Sequence, residues 1–359
     1  VKQVFVSVKL QPELVLRAGR FEFSDGLEGP IPDGPLGALR RERIAERLLG
    51  PFGFSHVGRS LDGADLRYAS SRAGLTIMGA RATQGVFRLE GMDELDVGVA
   101  YLAFTRNFNI DKARADARAF VLGYRDGRDL PKIDNRPANI RVRDSTAVQI
   151  ATVGGHLLAL TPVGSGNADF LVWGAAQFGE WGRQDHNGFG LALEAGYQWP
   201  WPGISPWVRA GYWRGSGDED PADSRHGTFF QALPTPRVYA RFPFYNLMNT
   251  EDLFLEVMVR PIAGLTVRAD AHALRLKDPA DFWYAGGGAF ERQSFGYAAR
   301  PGGDGGLASL IDLSGDYAIS PHVGVGAYIG RADPGIVIES IYPTTGTAWL
   351  GFLELRWRL

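Results

Sequence analysis

Hydrophobic alternation with a period of two runs through almost the whole chain. In NGFGLALEAGYQW, residues 187–199, Phe189, Leu191, Leu193, Ala195 and Tyr197 share one face. Gly188, Gly190, Ala192, Glu194, Gly196 and Gln198 share the other. Successive side chains of a strand point to opposite faces, so this pattern marks a strand with a different solvent on each side. Comparable segments recur at about 2–10, 14–24, 57–69, 74–83, 94–105, 116–126, 145–158, 168–181, 187–199, 206–216, 251–260, 264–277, 306–319, 322–331 and 346–359. Each is near the roughly ten residues that a tilted strand needs to cross a bilayer.

The connections sort by length. QPE (11–13), SSRAG (70–74), PWPGI (200–204), PIAG (261–264) and SPH (320–322) are short. Stretches near 25–56, 127–144, 217–250, 278–305 and 332–345 are long. Short turns at one end and long loops at the other are the pattern of an outer-membrane β-barrel, with the long loops extracellular. The expected fold is therefore all-β, a transmembrane antiparallel up-and-down barrel in which residues 1–359 make one domain. If the short turns are periplasmic, the first and last strands both run toward the periplasm. A closed bacterial barrel has an even strand number, so at least one preceding strand is expected, about 16 or 18 strands when complete. The last strand, TAWLGFLELRWRL, sets Leu353, Leu355, Trp357 and Leu359 against Glu354, Arg356 and Arg358. That ending is expected to engage the barrel assembly machinery. Helical periodicity occurs in LGALRRERIAERLLG (36–50), which is expected to form an amphipathic helix on or in the barrel mouth.

Composition narrows the chemistry. The chain lacks cysteine, which removes thiol nucleophiles, thiolate metal sites and disulfides. Its net charge of −2 supplies no basic field for nucleic acid. Lysine occurs only at 2, 9, 112, 132 and 277, so nearly all basic residues are arginine. None of the six histidines lies in HExxH, and there is no GxSxG elbow. Asp185 beside His186 and Asp223 near His226 are the local acid–histidine pairs, of a kind that chance readily produces in polar loops. An enzyme is not expected. Asp218, Glu219, Asp220 and Asp223 are dense hard oxygen donors for a structural calcium ion in an extracellular loop, although their spacing is not that of an EF-hand. No other cofactor is expected.

Strand phase assigns the lumenal side chains. Arg20 near the start, Asp65, Arg67, Arg118, Glu194, Arg209, Arg268, Asp270, Arg356 and Arg358 fall on the inward face, with Trp173, Trp181 and Trp213 in the same phase. Two arrangements satisfy this set. The arginines form a basic constriction that binds carboxylates loosely and in succession. Alternatively, they pair with Asp and Glu of neighbouring strands and brace the wall. The tryptophans stack on sugars or pack against in-folded loops. WPW at 199–201 is placed in an aromatic girdle at the periplasmic side.

Several stretches together resemble the alginate-export family. They are LRAGRFEFSDG (16–26), VGRSLDGADLRYAS (57–70), TVGGHL (152–157), AQFGEWGRQDHNGFGLALEAGYQW (176–199), PWVRAGYWRGSGDEDPADSRHGTFFQALPT (206–235) and YNLMNTEDLFLEVMVRPIAGLTVRADAHALRL (245–276). SGD-x-D-P-x-D followed by YNLMNxxDL is the most specific part. The resemblance implies a bacterial outer-membrane barrel that passes an anionic polysaccharide through an arginine-rich pore. The expected partners are outer-membrane lipid and lipopolysaccharide, with an anionic polysaccharide or small anionic solute as cargo, and the protein is expected to be a monomer. A general small-molecule porin is one alternative. A plugged structural barrel serving as a subunit of an envelope assembly is another.

Overall fold

The computed structural model describes residues 1–357 other than 30, 32, 56, 87–92, 287, 288, 290, 291, 293, 294, 303, 344 and 345. Strands β1 (Val4–Gln11) and β2 (Leu14–Phe21) precede helix α1 (Gly34–Arg43). Then come β3 (Leu61–Ala69), β4 (Ala73–Thr83), β5 (Glu94–Ile110), β6 (Ala113–Asp126) and the short α2 (Ala138–Arg141). Next are β7 (Val148–Val163), β8 (Gly166–Trp181), β9 (Gln184–Gln198), β10 (Trp207–Gly215), the two-residue β11 (Arg225–His226), β12 (Thr250–Val259) and β13 (Leu265–Leu276). The chain continues through β14 (Trp283–Gly286), β15 (Tyr297–Ala299), β16 (Gly306–Ala318), β17 (Val323–Pro334), α3 (Ile336–Ile341) and β18 (Ala348–Trp357).

Every expected strand is present. Fifteen strands pair antiparallel in the order β1 to β10, β12, β13, β16, β17, β18, and β11 lies parallel to β9 as a sixteenth member of the sheet. The fifteen leave β1 and β18 running in the same direction at the two ends of the order. β14 and β15 form a separate hairpin inside a loop. The turns at one end are tight. Asp111, at φ 51°, turns β5 into β6, and Gly164, at φ 58°, turns β7 into β8. One link departs from the length rule: β8 and β9 are joined at the long-loop end by Gly182 and Arg183 alone. Gly182 takes φ 63°, a left-handed conformation that glycine adopts without steric cost.

Burial follows the alternation. In β5, Val97, Val99, Tyr101 and Ala103 are buried, whereas Leu102 and Phe104 are exposed. Phe170, Val172 and Phe178 of β8, Leu253 and Leu255 of β12, and Ile311 and Leu313 of β16 join them in an exposed apolar band. A row of large apolar side chains facing outward is the lipid-contacting face of a barrel. On β18 the outward set is Leu353, Leu355 and Trp357. At the short-turn end, Tyr197 and Trp199 meet at 4.7 Å and Trp199 and Trp201 at 5.8 Å, as an interfacial aromatic cluster does.

The inward face is not a bare aqueous wall. The loop of residues 22–60 enters the lumen and touches strands far apart in the sheet, namely β6, β9, β12 and β13. Those strands therefore surround it. α1 begins where the Asp33 side chain accepts the Leu36 N–H at 3.0 Å, with proline in the first turn. It is shorter than the 36–50 periodicity suggests. The N–H groups of Ile44 and Ala45 both turn back to the Arg40 carbonyl, and Glu46 takes φ 63°, so the helix cannot propagate.

Candidate functional site

Toward the short-turn ends of the strands the lumen holds an ion-pair network closed by a row of rings. Glu194 of β9 is its hub. Its carboxylate accepts from Arg43 Nε at 2.8 Å, Arg47 Nη2 at 2.9 Å and Arg209 Nε at 2.9 Å. Arg209 also donates to Asp169 at 2.5 Å, and Trp207 Nε1 donates to the same carboxylate at 2.8 Å. Arg268 bridges Asp270 at 2.6 Å and Glu256 at 3.0 Å, while Arg43 reaches Glu256 at 3.8 Å. Arg40 lies 3.3 Å from Asp116, which also meets His156 at 2.5 Å. Strand phase places Glu194, Arg209, Arg268 and Asp270 inward, because residues two apart share a face, and the structure adds Asp116, His156, Asp169, Trp207 and Glu256 to them.

Arginine carries this network because a guanidinium offers five donors in a rigid fork. Arg47 shows the geometry best. It donates to Glu194 and to the Arg43 carbonyl at 2.7 Å, and lies 4.5 Å from the Tyr239 ring centroid and 5.3 Å from those of Trp173 and Trp213. A buried cation there is matched by a carboxylate and by aromatic faces, which offset its desolvation.

The rings run on from this point. Phe23 meets Tyr101 at 5.5 Å, Tyr101 meets Phe120 at 6.2 Å, Phe120 meets Trp173 at 6.1 Å and Trp173 meets Trp213 at 5.8 Å. Phe229, from the 216–249 loop, closes on Trp213 at 5.6 Å. The inward tryptophans thus pack against in-folded loops. Nearer the long-loop end, Trp181 stacks on His226 at 4.1 Å and 6°, and His226 Nδ1 lies 2.9 Å from His186 Nδ1. Burial lowers the His226 pKa well below the usual histidine range, and the neighbouring His186 adds to the effect. The two Asp–His pairs of the sequence do not form. Asp185 is exposed on the face opposite His186, and His226 meets His186 rather than Asp223.

The remaining inward candidates are also paired. Asp65 accepts from Arg17 at 2.6 Å and from Arg67 at 3.0 Å, and Arg67 also donates to the Glu28 carbonyl at 2.7 Å. Arg118 forms a very short pair with Glu28 and donates to Tyr101 Oη at 2.6 Å and Thr105 Oγ1 at 3.0 Å. Arg356 pairs closely with Asp316, to which Arg241 of the 216–249 loop also reaches at 3.3 Å. Arg358 lies outside the described residues.

Arg20 is a correction. It sits three positions from inward Arg17, so it faces outward and pairs with outward Asp62 at 2.5 Å. The acidic loop is a second one. Asp218 is buried, while Asp220 and Asp223 turn their own backbone, accepting from Ala222 N at 2.9 Å and Arg225 N at 2.8 Å. The acids do not converge, and among the described residues no three metal-ligating side chains form a cage. Asp218 N donates instead to Asp281, a buried carboxyl that also accepts from Thr228 at 2.5 Å and Tyr284 at 2.8 Å. Burial pushes the pKa of Asp281 up to about 7 and that of Asp218 to about 6.

Phase reasoning along strands could not reach Arg40, Arg43 and Arg47, since they lie in a loop. Their spacing of three and four was the available signal. That spacing puts Arg40 and Arg43 on one helical face, which is buried, and Arg47 joins them from the turn that follows α1.

The family model described as alginate export matches residues 135–347. Among solved structures, OccK11 (OpdR) of Pseudomonas aeruginosa aligns with a TM-score of 0.54 and 11% identity, over 98% of this chain and 79% of that one. OccK5 (OpdH) of the same organism aligns with a TM-score of 0.50 and 11% identity, over 98% of this chain and 81% of that one. At this identity the likeness is one of fold. No curated protein sequence matches the chain. The family match spans more than half of the sequence and includes Glu194, Arg209, Glu256 and Arg268 of the lumenal network, so the chain belongs to the alginate-export family of bacterial outer-membrane β-barrel channels.

Proposed function

We propose that this channel passively passes an anionic hydrophilic solute or polysaccharide, and that the 22–60 loop is its gate, seen closed. One observation carries the reading. The arginines of the loop, Arg40, Arg43 and Arg47, are held by carboxylates of the wall, Asp116, Glu194 and Glu256. Ion pairs of this kind exchange when another carboxylate competes for the fork. A polymer with a carboxylate on each sugar presents that competitor repeatedly. It takes the guanidinium groups from the wall, loosens α1 and moves from one arginine to the next without a deep trap. No chemical step and no cofactor is needed. Family membership supports an anionic polysaccharide as cargo. On this reading the protein works as a monomer set in lipid and lipopolysaccharide, and β18 presents it to the barrel assembly machinery.

The continuous ring packing from Phe23 to Phe229 favours a second reading, a permanently plugged barrel that serves as a subunit of an envelope assembly. Planar-bilayer recording separates the two. A gated exporter is quiet at rest and opens stepwise, with anion preference, when a polyuronate is added. Silence with and without polyuronate would leave the plugged barrel.

A further inference from the structure

A cleft of about 350 Å³ lies among the long loops, and no residue of the Glu194 network lines it. Its volume is that of a small-molecule site. The walls are aromatic. Phe244 stands edge-on to Trp283 at 6.0 Å and 82°, and Tyr342 does so at 6.3 Å and 83°, while Phe242 packs on Phe244 at 5.1 Å. Two arginines, Arg59 and Arg237, also line it.

Those arginines break the rule seen in the lumen. Buried Arg118 and Arg209 each sit on a carboxylate. Among the described residues Arg59, equally buried, donates only to carbonyls, those of Gly50 at 3.1 Å, Leu233 at 2.8 Å and Ala289 at 3.4 Å, and its Nε has no partner. Arg237 is half-buried and makes no hydrogen bond or ion pair among the described residues. The indole N–H of Trp283 is buried and unpartnered too. Among the described residues the unpartnered buried polar atoms of the cleft are thus donors, and neither cation forms an ion pair, the nearest carboxylate to act on Arg59 being that of Glu46. Buried donors without acceptors are rare in folded proteins and call for a missing group.

We propose that this cleft binds a small carboxylate carried on a flat apolar body. The carboxylate supplies an acceptor for Arg59 Nε and for the Trp283 indole N–H, and an ion-pair partner for Arg237. The flat body fills the space between aromatic and proline walls, where ring faces and edges favour stacking. A free sugar acid fits less well, because the walls offer few acceptors for its hydroxyl groups.

The site is tested by calorimetric titration of 2-naphthoate into the full chain in detergent, without a membrane, so the outcome is independent of gating. Saturable binding is expected, with the neutral 2-naphthamide at least about tenfold weaker, as for loss of a charge-assisted hydrogen bond. Arg237→Gln removes a side chain that holds nothing else in place, so it should fold normally and weaken naphthoate by about tenfold as well. Trp283→Phe keeps the ring, removes the N–H and should weaken binding less. Absence of naphthoate binding, equal binding by Arg237→Gln, or displacement by equimolar glucuronate would overturn the proposal.

Discussion

Glu194 holds three guanidinium groups, two from the plug and one from the wall. Removing its charge leaves Arg43, Arg47 and Arg209 buried with a deficit of counter-charge. Breaking a buried ionic cluster from one side costs about 3–5 kcal/mol, because the remaining charges stay desolvated. Glu194→Gln should therefore lower the urea midpoint in lipid vesicles markedly. Glu354→Gln, at a half-exposed pair near the end of the chain, should change it by less than about 1 kcal/mol. Equal effects would show that Glu194 is no hub. The residue was legible in the sequence as inward and acidic, since it alternates with Leu193 and Ala195. Its partners were not, because two of the three come from a loop more than a hundred positions earlier, and strand phase is silent about where a loop goes.

The strands were readable because a barrel wall imposes two solvents on every one of them, and the pattern survives in β5, β9 and β13 alike. The loops obey a different physics. Their path inward is set by a few polar anchors, and Asp281 is one of them. It ties the 216–249 loop, through Thr228 and the Asp218 N–H, to the 277–305 loop through Tyr284. Burial raises Asp281 to about 7 and Asp218 to about 6, above the values of the unfolded chain. The folded loops therefore hold these protons more tightly. This stabilisation is full below about pH 4 and is lost as the pH rises through 6 and 7. Limited proteolysis should cut the two loops slowly at pH 5 and faster at pH 8. Asp281→Asn, which cannot ionise, should flatten most of that dependence. An unchanged pH dependence would remove Asp281 as the anchor.

Taken as a barrel, the molecule has a charge balance that single strands conceal. The inward wall carries the buried acids Asp65, Asp116, Asp169, Glu194, Asp252, Glu256, Asp270 and Asp312. Against them stand Arg17, Arg67, Arg118, Arg209 and Arg268, each already paired. Carboxylates therefore outnumber guanidinium groups on the strands, and the loop helix with its following turn restores the balance through Arg40, Arg43 and Arg47. Of the two arrangements open from the sequence, a basic constriction or arginines paired with wall acids, the wall shows the second, and the basic stretch is α1 with its following turn, where Arg40, Arg41, Arg43 and Arg47 face only Glu42 and Glu46 in sequence. A lumen selects ions by the charges it exposes along the path. If the plug moves aside within the barrel, its arginines stay in the path and anions are favoured. If it is absent, the bare wall is acidic. Replacing residues 26–58 with a short Gly/Ser linker should therefore give a constantly open channel that prefers cations. Its reversal potential in a KCl gradient should be opposite in sign to that of the intact protein opened by polyuronate. Anion preference in the deletion variant would return selectivity to the wall arginines and remove the plug from that role.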